Sequence, residues 1–279
     1  MKELVSIEWL KKNLNKKDLI LLDSSLTKTA DGKNSEFKDI TIPSARYFDL
    51  TANFSDKNSH LPNTIPSKEQ FELECRKLGI SQSSEIVIFD NLGIYSSPRA
   101  WWMFKAMGHD KVSVLDGGLK TWIKRGLPTE KRTKSSYEFG TFEASLNEDY
   151  IVNYSTIRKN IEKRTFTLID ARSEDRFNGI IEEPRKELKS GHIKESINIP
   201  YKEVLTDGKY KSKEELKKLF SDKCNIEDDF VFSCGSGLTA CIVLLACEIA
   251  IKKSRYVYDG SWTEWAEKNN LKNTIQHGV

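Results

Sequence analysis

The stretch Asp229-Phe-Val-Phe-Ser-Cys234-Gly-Ser-Gly-Leu-Thr-Ala240 has the make-up of a buried strand, a glycine-rich turn and the first residues of an apolar helix. The helix it opens continues as Ala240-Cys-Ile-Val-Leu-Leu-Ala-Cys-Glu-Ile-Ala-Ile251, with a start expected near Leu238. A strand that feeds a helix through a short turn is half of a βαβ unit, and such units build parallel sheets with helices on both faces. The same order appears earlier in the chain. Glu85-Ile-Val-Ile-Phe-Asp90 matches the strand before Cys234, and Leu19-Ile-Leu-Leu-Asp23 matches Phe166-Thr-Leu-Ile-Asp170. Asp116-Gly-Gly-Leu-Lys-Thr-Trp122 matches Asp259-Gly-Ser-Trp-Thr-Glu-Trp265, where a second helix is expected from near Trp262. The spacing between partners stays at roughly 143–147 residues, so the chain is a duplicated domain and not a longer repeat array.

The expected architecture is therefore α/β, with two tandem domains, each a mainly parallel sheet covered on both faces. A length of 279 residues suits two domains. The polar, proline-bearing stretch Gly126–Ser136 reads as the linker, giving a first domain over about residues 1–136 and a second over about 137–279. Tyr137–Asn153 is expected to wrap across the halves.

Lys and Arg number 44 against 41 Asp and Glu, an excess too small to call for a nucleic-acid partner. The apolar run 240–251 carries Glu248 and falls short of the ~20 residues that cross a bilayer, so it reads as a buried helix and no membrane partner is expected. Met1-Lys-Glu-Leu-Val-Ser-Ile-Glu-Trp9 has neither the apolar core of a signal peptide nor the acid-poor character of a transit peptide. Five cysteines without C-x-x-C spacing fit a reducing cytoplasm better than a disulfide framework. With four scattered histidines they predict neither a metal site nor a cofactor.

The chemistry concentrates at Cys234. Two glycines allow the turn to curl so that the amides of Gly235, Gly237, Leu238 and Thr239 face inward as an anion cradle, and the helix start adds partial positive charge. A free thiol titrates near ~8.5, whereas such surroundings bring it to ~3.5–7.5, which would make Cys234 a standing nucleophile. Cys75, Cys224, Cys241 and Cys247 read instead as small packing residues. Cysteine phosphatases use a similar loop but need an arginine six positions after the nucleophile; here that residue is Ala240. Without a guanidinium to grip equatorial oxygens, phosphoryl transfer is disfavoured.

The tandem repeat and the loop Cys234–Ala240 resemble the rhodanese superfamily, specifically the 3-mercaptopyruvate sulfurtransferases. Supporting pieces are Ser97-Pro-Arg-Ala-Trp-Trp102, Leu115-Asp-Gly-Gly-Leu119, Asp170-Ala-Arg172, Arg176-Phe-Asn-Gly179, Glu183-Pro-Arg185, Gly191-His-Ile193 and Tyr258-Asp-Gly-Ser-Trp262. The resemblance implies a non-catalytic first domain, with Asp90 at the position of Cys234, and a catalytic second domain. It implies sulfur transfer from 3-mercaptopyruvate through a Cys234 persulfide to a thiol, a thioredoxin-like dithiol or cyanide. Thiosulfate-using members tend to carry Arg and Lys after the cysteine, where this chain has Gly235 and Ser236. Arg176 and Arg185 are the implied carboxylate ligands, since a planar fork suits bidentate binding. A Ser–His–acid relay is also implied, with Ser236, His60 and Asp49 in its positions, although relatives tend to show a second acid where this chain has Thr51. Two other functions fit the same loop: a thiosulfate:cyanide sulfurtransferase, and a persulfide carrier or redox module without catalysis.

Overall fold

The structure is a computed structural model that describes residues 1–29, 32–133, 135–253 and 256–269. Its contacts divide the chain into two compact units. One comprises Met1–Ser59, Ile65–Asn147 and Asp207–Tyr210; the other comprises His60–Thr64, Glu148–Thr206 and Lys211 onward.

In the first unit, strands β1 (Leu4–Val5), β2 (Leu19–Asp23), β3 (Arg46–Tyr47), β4 (Glu85–Phe89) and β5 (Val112–Leu115) form one sheet in the order β1-β5-β4-β2-β3. Every pairing in it is parallel. Helices α1 (Ile7–Asn13), α2 (Lys68–Lys77), α3 (Ser97–Ala106) and α4 (Gly118–Lys124) complete the unit. Ser6 and Ser67 cap α1 and α2 by accepting the Trp9 and Gln70 amides, which satisfies donors a helix start otherwise leaves unmade. β2 and β4 are apolar on both sides because both faces are covered. Leu21, Val87 and Phe89 pack with Leu10 and Trp122, while Phe48, Phe54, Phe71 and Phe104 form an aromatic cluster of their own.

The second unit repeats this plan. Strands β6 (Ile151–Val152), β7 (Thr167–Asp170), β8 (Ile197–Asn198), β9 (Phe230–Ser233) and β10 (Tyr256–Tyr258) lie in the order β6-β10-β9-β7-β8, again wholly parallel. The two orders are the same once the strands are counted from each unit's own start. Helices α5 (Tyr154–Lys163), α6 (Glu174–Phe177), α7 (Lys213–Lys223), α8 (Ala240–Ile251) and α9 (Ser261–Lys268) follow. Asn153 caps α5, and Ser212 with Glu215 forms a reciprocal capping box on α7. α8 is buried almost all round, as a helix without a polar face must be. Among the described residues no helix is long and apolar enough to cross a membrane.

Four details differ from expectation. α8 begins at Ala240, two residues after Leu238, with Gly237 at φ +76° just before that turn. α9 begins one residue before Trp262, at Ser261. Gly126–Ser136 is not a free linker: Glu130–Lys131 pairs antiparallel with Ile40–Thr41, Trp122 Nε1 donates to the Pro128 carbonyl and Arg132 Nε to Asp23. Lys134 of that stretch lies outside the described residues. Beyond it, the amides of Gly140, Phe142, Ser145 and Asn147 bond to Arg76, Ile80, Met107 and Ala106. The passage expected to open the second half therefore completes the first unit, and the second resumes at Glu148.

Candidate active site

β9 ends at Ser233 and the chain enters the loop Cys234–Thr239 before α8. One side of this loop is tied down by the start of α9. The Cys234 carbonyl accepts the Trp262 amide at 2.9 Å, and the Gly235 carbonyl accepts both the Thr263 amide at 3.1 Å and the Thr263 hydroxyl at 2.6 Å. The Ser261 hydroxyl accepts the amides of Cys234 and Gly237, each at 3.1 Å, and donates to the Tyr258 carbonyl at 2.8 Å. Ser261 holds φ +51°, unusual for a residue with a side chain. Its three hydrogen bonds offset that cost. Among the described residues, the amides of Gly235, Ser236, Leu238, Thr239 and Ala240 donate to no protein acceptor. Five uncommitted amides in one turn at a helix start are the elements of an anion cradle.

Cys234 sits at the mouth of this turn and is 2% exposed. All five cysteines are free thiols. Burial pushes the Cys75 and Cys247 thiols well up, and it pushes Cys224 to about 11.

Cationic groups reach the loop from two directions. A Cβ built on Gly235 would lie 3.0 Å from Arg176 Nη2, so the guanidinium occupies the space that glycine leaves. Glu183 takes the Nε and Nη2 edge of Arg176. Among the described residues Nη1 has no acceptor, so the Nη1–Nη2 edge remains for a ligand. Glu183 also accepts from Arg172 Nη1 at 2.8 Å, while Asp170 holds the other side of Arg172 and Trp262 stacks on it. Burial opposes the Arg172 charge, but Asp170 and Glu183 raise its pKa regardless. Arg185 Nη1 donates to the Thr263 hydroxyl at 3.3 Å, which links it to the Gly235 carbonyl. Among the described residues no group of three or more His, Cys, Asp or Glu is placed to hold a metal ion.

The rhodanese-like domain model matches twice, over residues 6–125 and 153–268. The chain belongs to the rhodanese family. It is 39% identical to the 3-mercaptopyruvate sulfurtransferase of Mus musculus, over 99% of this chain and 95% of that one. It is 34% identical, over the same shares, to the thiosulfate sulfurtransferase of Rattus norvegicus. The crystal structure of SseA, a 3-mercaptopyruvate sulfotransferase from Escherichia coli, superposes with a TM-score of 0.83 at 32% identity, covering 94% of this chain and 99% of that one.

In the first rhodanese domain the loop after β4 carries Asp90 where the second has Cys234. The Asp90 carboxylate accepts the amides of Leu92, Tyr95, Ser96 and Ser97 at 2.9–3.1 Å and the Ser97 hydroxyl at 2.6 Å. That cradle is filled by the chain's own anion.

The residues read from the sequence divide into two groups. Cys234, Gly235, Ser236, Gly237, Leu238 and Thr239 share one loop, with Arg176 and Arg185 against it. The remaining two, His60 and Asp49, have hydrogen-bond partners of their own. His60 is largely exposed, with Nε2 at 3.0 Å from Glu267. Asp49 belongs to the first unit, where its carboxylate caps a turn by accepting the Ala52 amide at 2.9 Å. The Ser236 hydroxyl accepts from Asn63 Nδ2 at 2.8 Å.

Three rhodanese-site residues escaped the sequence reading in these roles: Glu183, Ser261 and Thr263. Ser261 left a trace. It corresponds to Gly118 in the internal repeat, and both hold a left-handed φ, at +51° and +50°.

Proposed function

We propose that this chain is a sulfurtransferase that takes sulfur from 3-mercaptopyruvate onto Cys234 and passes it to a thiol. The observation that carries this reading is the open ring of amides around a cysteine, with Arg176 and Arg185 beside it. The free edge of Arg176, with Arg185, holds the donor's carboxylate. The Cys234 thiolate attacks the donor sulfur, an S–S bond forms and the C–S bond breaks. The electron pair of that bond leaves as the pyruvate enolate, which takes the donor thiol's proton at carbon and departs as pyruvate. The outer persulfide sulfur, now anionic, rests in the amide cradle. An acceptor thiolate then attacks it, forming its own persulfide and returning Cys234 to the thiolate, as in thiol–disulfide exchange.

A small thiol, a thioredoxin-like dithiol or cyanide can serve as acceptor. The first domain, with Asp90 at the sulfur position, carries no sulfur. Persulfide formation does not require the Ser236–His60–Asp49 relay; the His60 and Asp49 side chains meet Glu267 and the Ala52 amide. Five unpaired cysteines support a reducing compartment, the cytoplasm.

The test is intact mass and pyruvate release after mixing with each donor. We expect one added sulfur from 3-mercaptopyruvate, reversed by cyanide and absent in Cys234→Ser. Arg176→Ala and Arg185→Ala should each raise KM about tenfold or more. Efficient thiosulfate turnover with negligible pyruvate release would overturn the donor and favour a thiosulfate:cyanide sulfurtransferase. Unchanged kinetics in both arginine variants would favour a carrier that needs no carboxylate clamp.

A further inference from the structure

We infer that Asn63 is the positioning residue that sets the direction of the Ser236 hydroxyl for sulfur transfer, an inference that rests on the reaction proposed above. A serine hydroxyl has one proton and two acceptor lone pairs, whereas an amide nitrogen can only donate. Asn63 Nδ2 donates to Ser236 Oγ at 2.8 Å, so it occupies a lone pair and forbids the Ser236 proton from pointing back along that line. Among the described residues the Ser236 side chain has no other hydrogen-bond partner, and the residue is 9% exposed. Its proton is therefore left for an acceptor at the cysteine loop, where negative charge grows on the leaving enolate oxygen and on the transferred sulfur.

Asn63 is itself held in place. It adopts φ +59°, a left-handed conformation that asparagine tolerates better than most residues. The Thr64 hydroxyl donates to the Leu61 carbonyl at 3.0 Å and braces the same turn. His60, three residues earlier, does not compete for this role. Its side chain is 78% exposed and its Nε2 faces Glu267. Ser236 thus works as an oriented donor, and a donor aimed where charge develops acts on kcat more than on KM.

The experiment uses the full chain with 3-mercaptopyruvate, measuring kcat, KM and pH dependence of pyruvate release. Asn63→Gly removes the amide while accepting the left-handed backbone; we expect kcat to fall about tenfold with KM changed by about twofold or less. Asn63→Asp is close in shape but reverses polarity, so its carboxylate captures the Ser236 proton. Its kcat should fall further at neutral pH, and its ratio to wild type should climb as pH is lowered toward the new carboxyl's own range near ~4. In a Ser236→Ala background, Asn63→Gly should cost nothing more. His60→Ala should lose less than Asn63→Gly. Circular dichroism and Tm separate a folding defect from a kinetic one. Wild-type kcat in both Asn63 variants, an equal loss on adding Asn63→Gly to Ser236→Ala, or a larger loss in His60→Ala would each overturn the inference while the reaction stands. A wild-type chain that releases no pyruvate would overturn the reaction and the inference with it.

Discussion

After Phe89 the chain turns through amides that converge on one acceptor, the carboxylate of Asp90. After Ser233 the matching turn has a thiol at that position, and among the described residues five of its amides meet no protein acceptor. The strands leading into the turns occupy the same place in sheets of the same order. The first loop's amides are gathered by its own carboxylate; under the proposed reaction the second loop's open amides would hold the charge of the transferred sulfur. A hydroxyl does in the second loop part of what a carboxylate does in the first: Ser261 gathers the Cys234 and Gly237 amides.

Exchanging the two key residues for alanine should break the symmetry most visibly. Cys234→Ala should abolish sulfur transfer yet cost under about 1 kcal/mol of stability, because among the described residues no hydrogen bond depends on the sulfur. Asp90→Ala should instead cost about 3 kcal/mol in denaturant unfolding, since several buried amides lose a charged acceptor together. Equal stability losses would mean that the two loops are not the contrast drawn here. Thiol mapping is the next effect in size. With a small alkylating agent near neutral pH, Cys234 should react at least about a hundredfold faster than Cys75, Cys224 and Cys247, whose thiols burial pushes up. Peptide mass mapping over time reads this directly.

A smaller effect concerns Glu183, which grips Arg172 and Arg176 at once. Glu183→Gln should raise the KM for 3-mercaptopyruvate about tenfold, by loosening Arg176 before it meets the donor. The smallest is a pH effect confined to the first unit. Burial lowers the pKa of His109, whose Nε2 lies 3.0 Å from the Ser84 carbonyl between Phe104 and Phe142. A lowered pKa means the unfolded chain takes up this proton first. The contribution of His109 is therefore fully present above about pH 6.5 and is lost as pH falls through the folded pKa. His109→Gln should flatten that part of the acid-side decline, measured as unfolding free energy between pH 7.5 and 5.

Most of the architecture was legible without coordinates because buried parallel strands leave continuous apolar runs, and a duplication prints them twice. Leu19–Asp23, Glu85–Phe89, Thr167–Asp170 and Phe230–Ser233 all lie in the expected strands. Cys234 and its two glycines were equally plain, since strand, turn and helix start are local in sequence. The segment 126–147 was not, because polarity marks exposure and says nothing about which unit a passing chain bonds to.

From its residues alone, this chain determined where its strands fall, that they come in two matching sets, and which sulfur stands at a helix start. Folding decided which groups face that sulfur's loop: Ser261 and Thr263 from α9, Glu183 behind Arg176, and Asn63 on the Ser236 hydroxyl. The reason is one of range. Apolar periodicity and turn chemistry act over a few neighbouring residues, whereas a hydrogen bond between positions 63 and 236 exists only once the chain has closed.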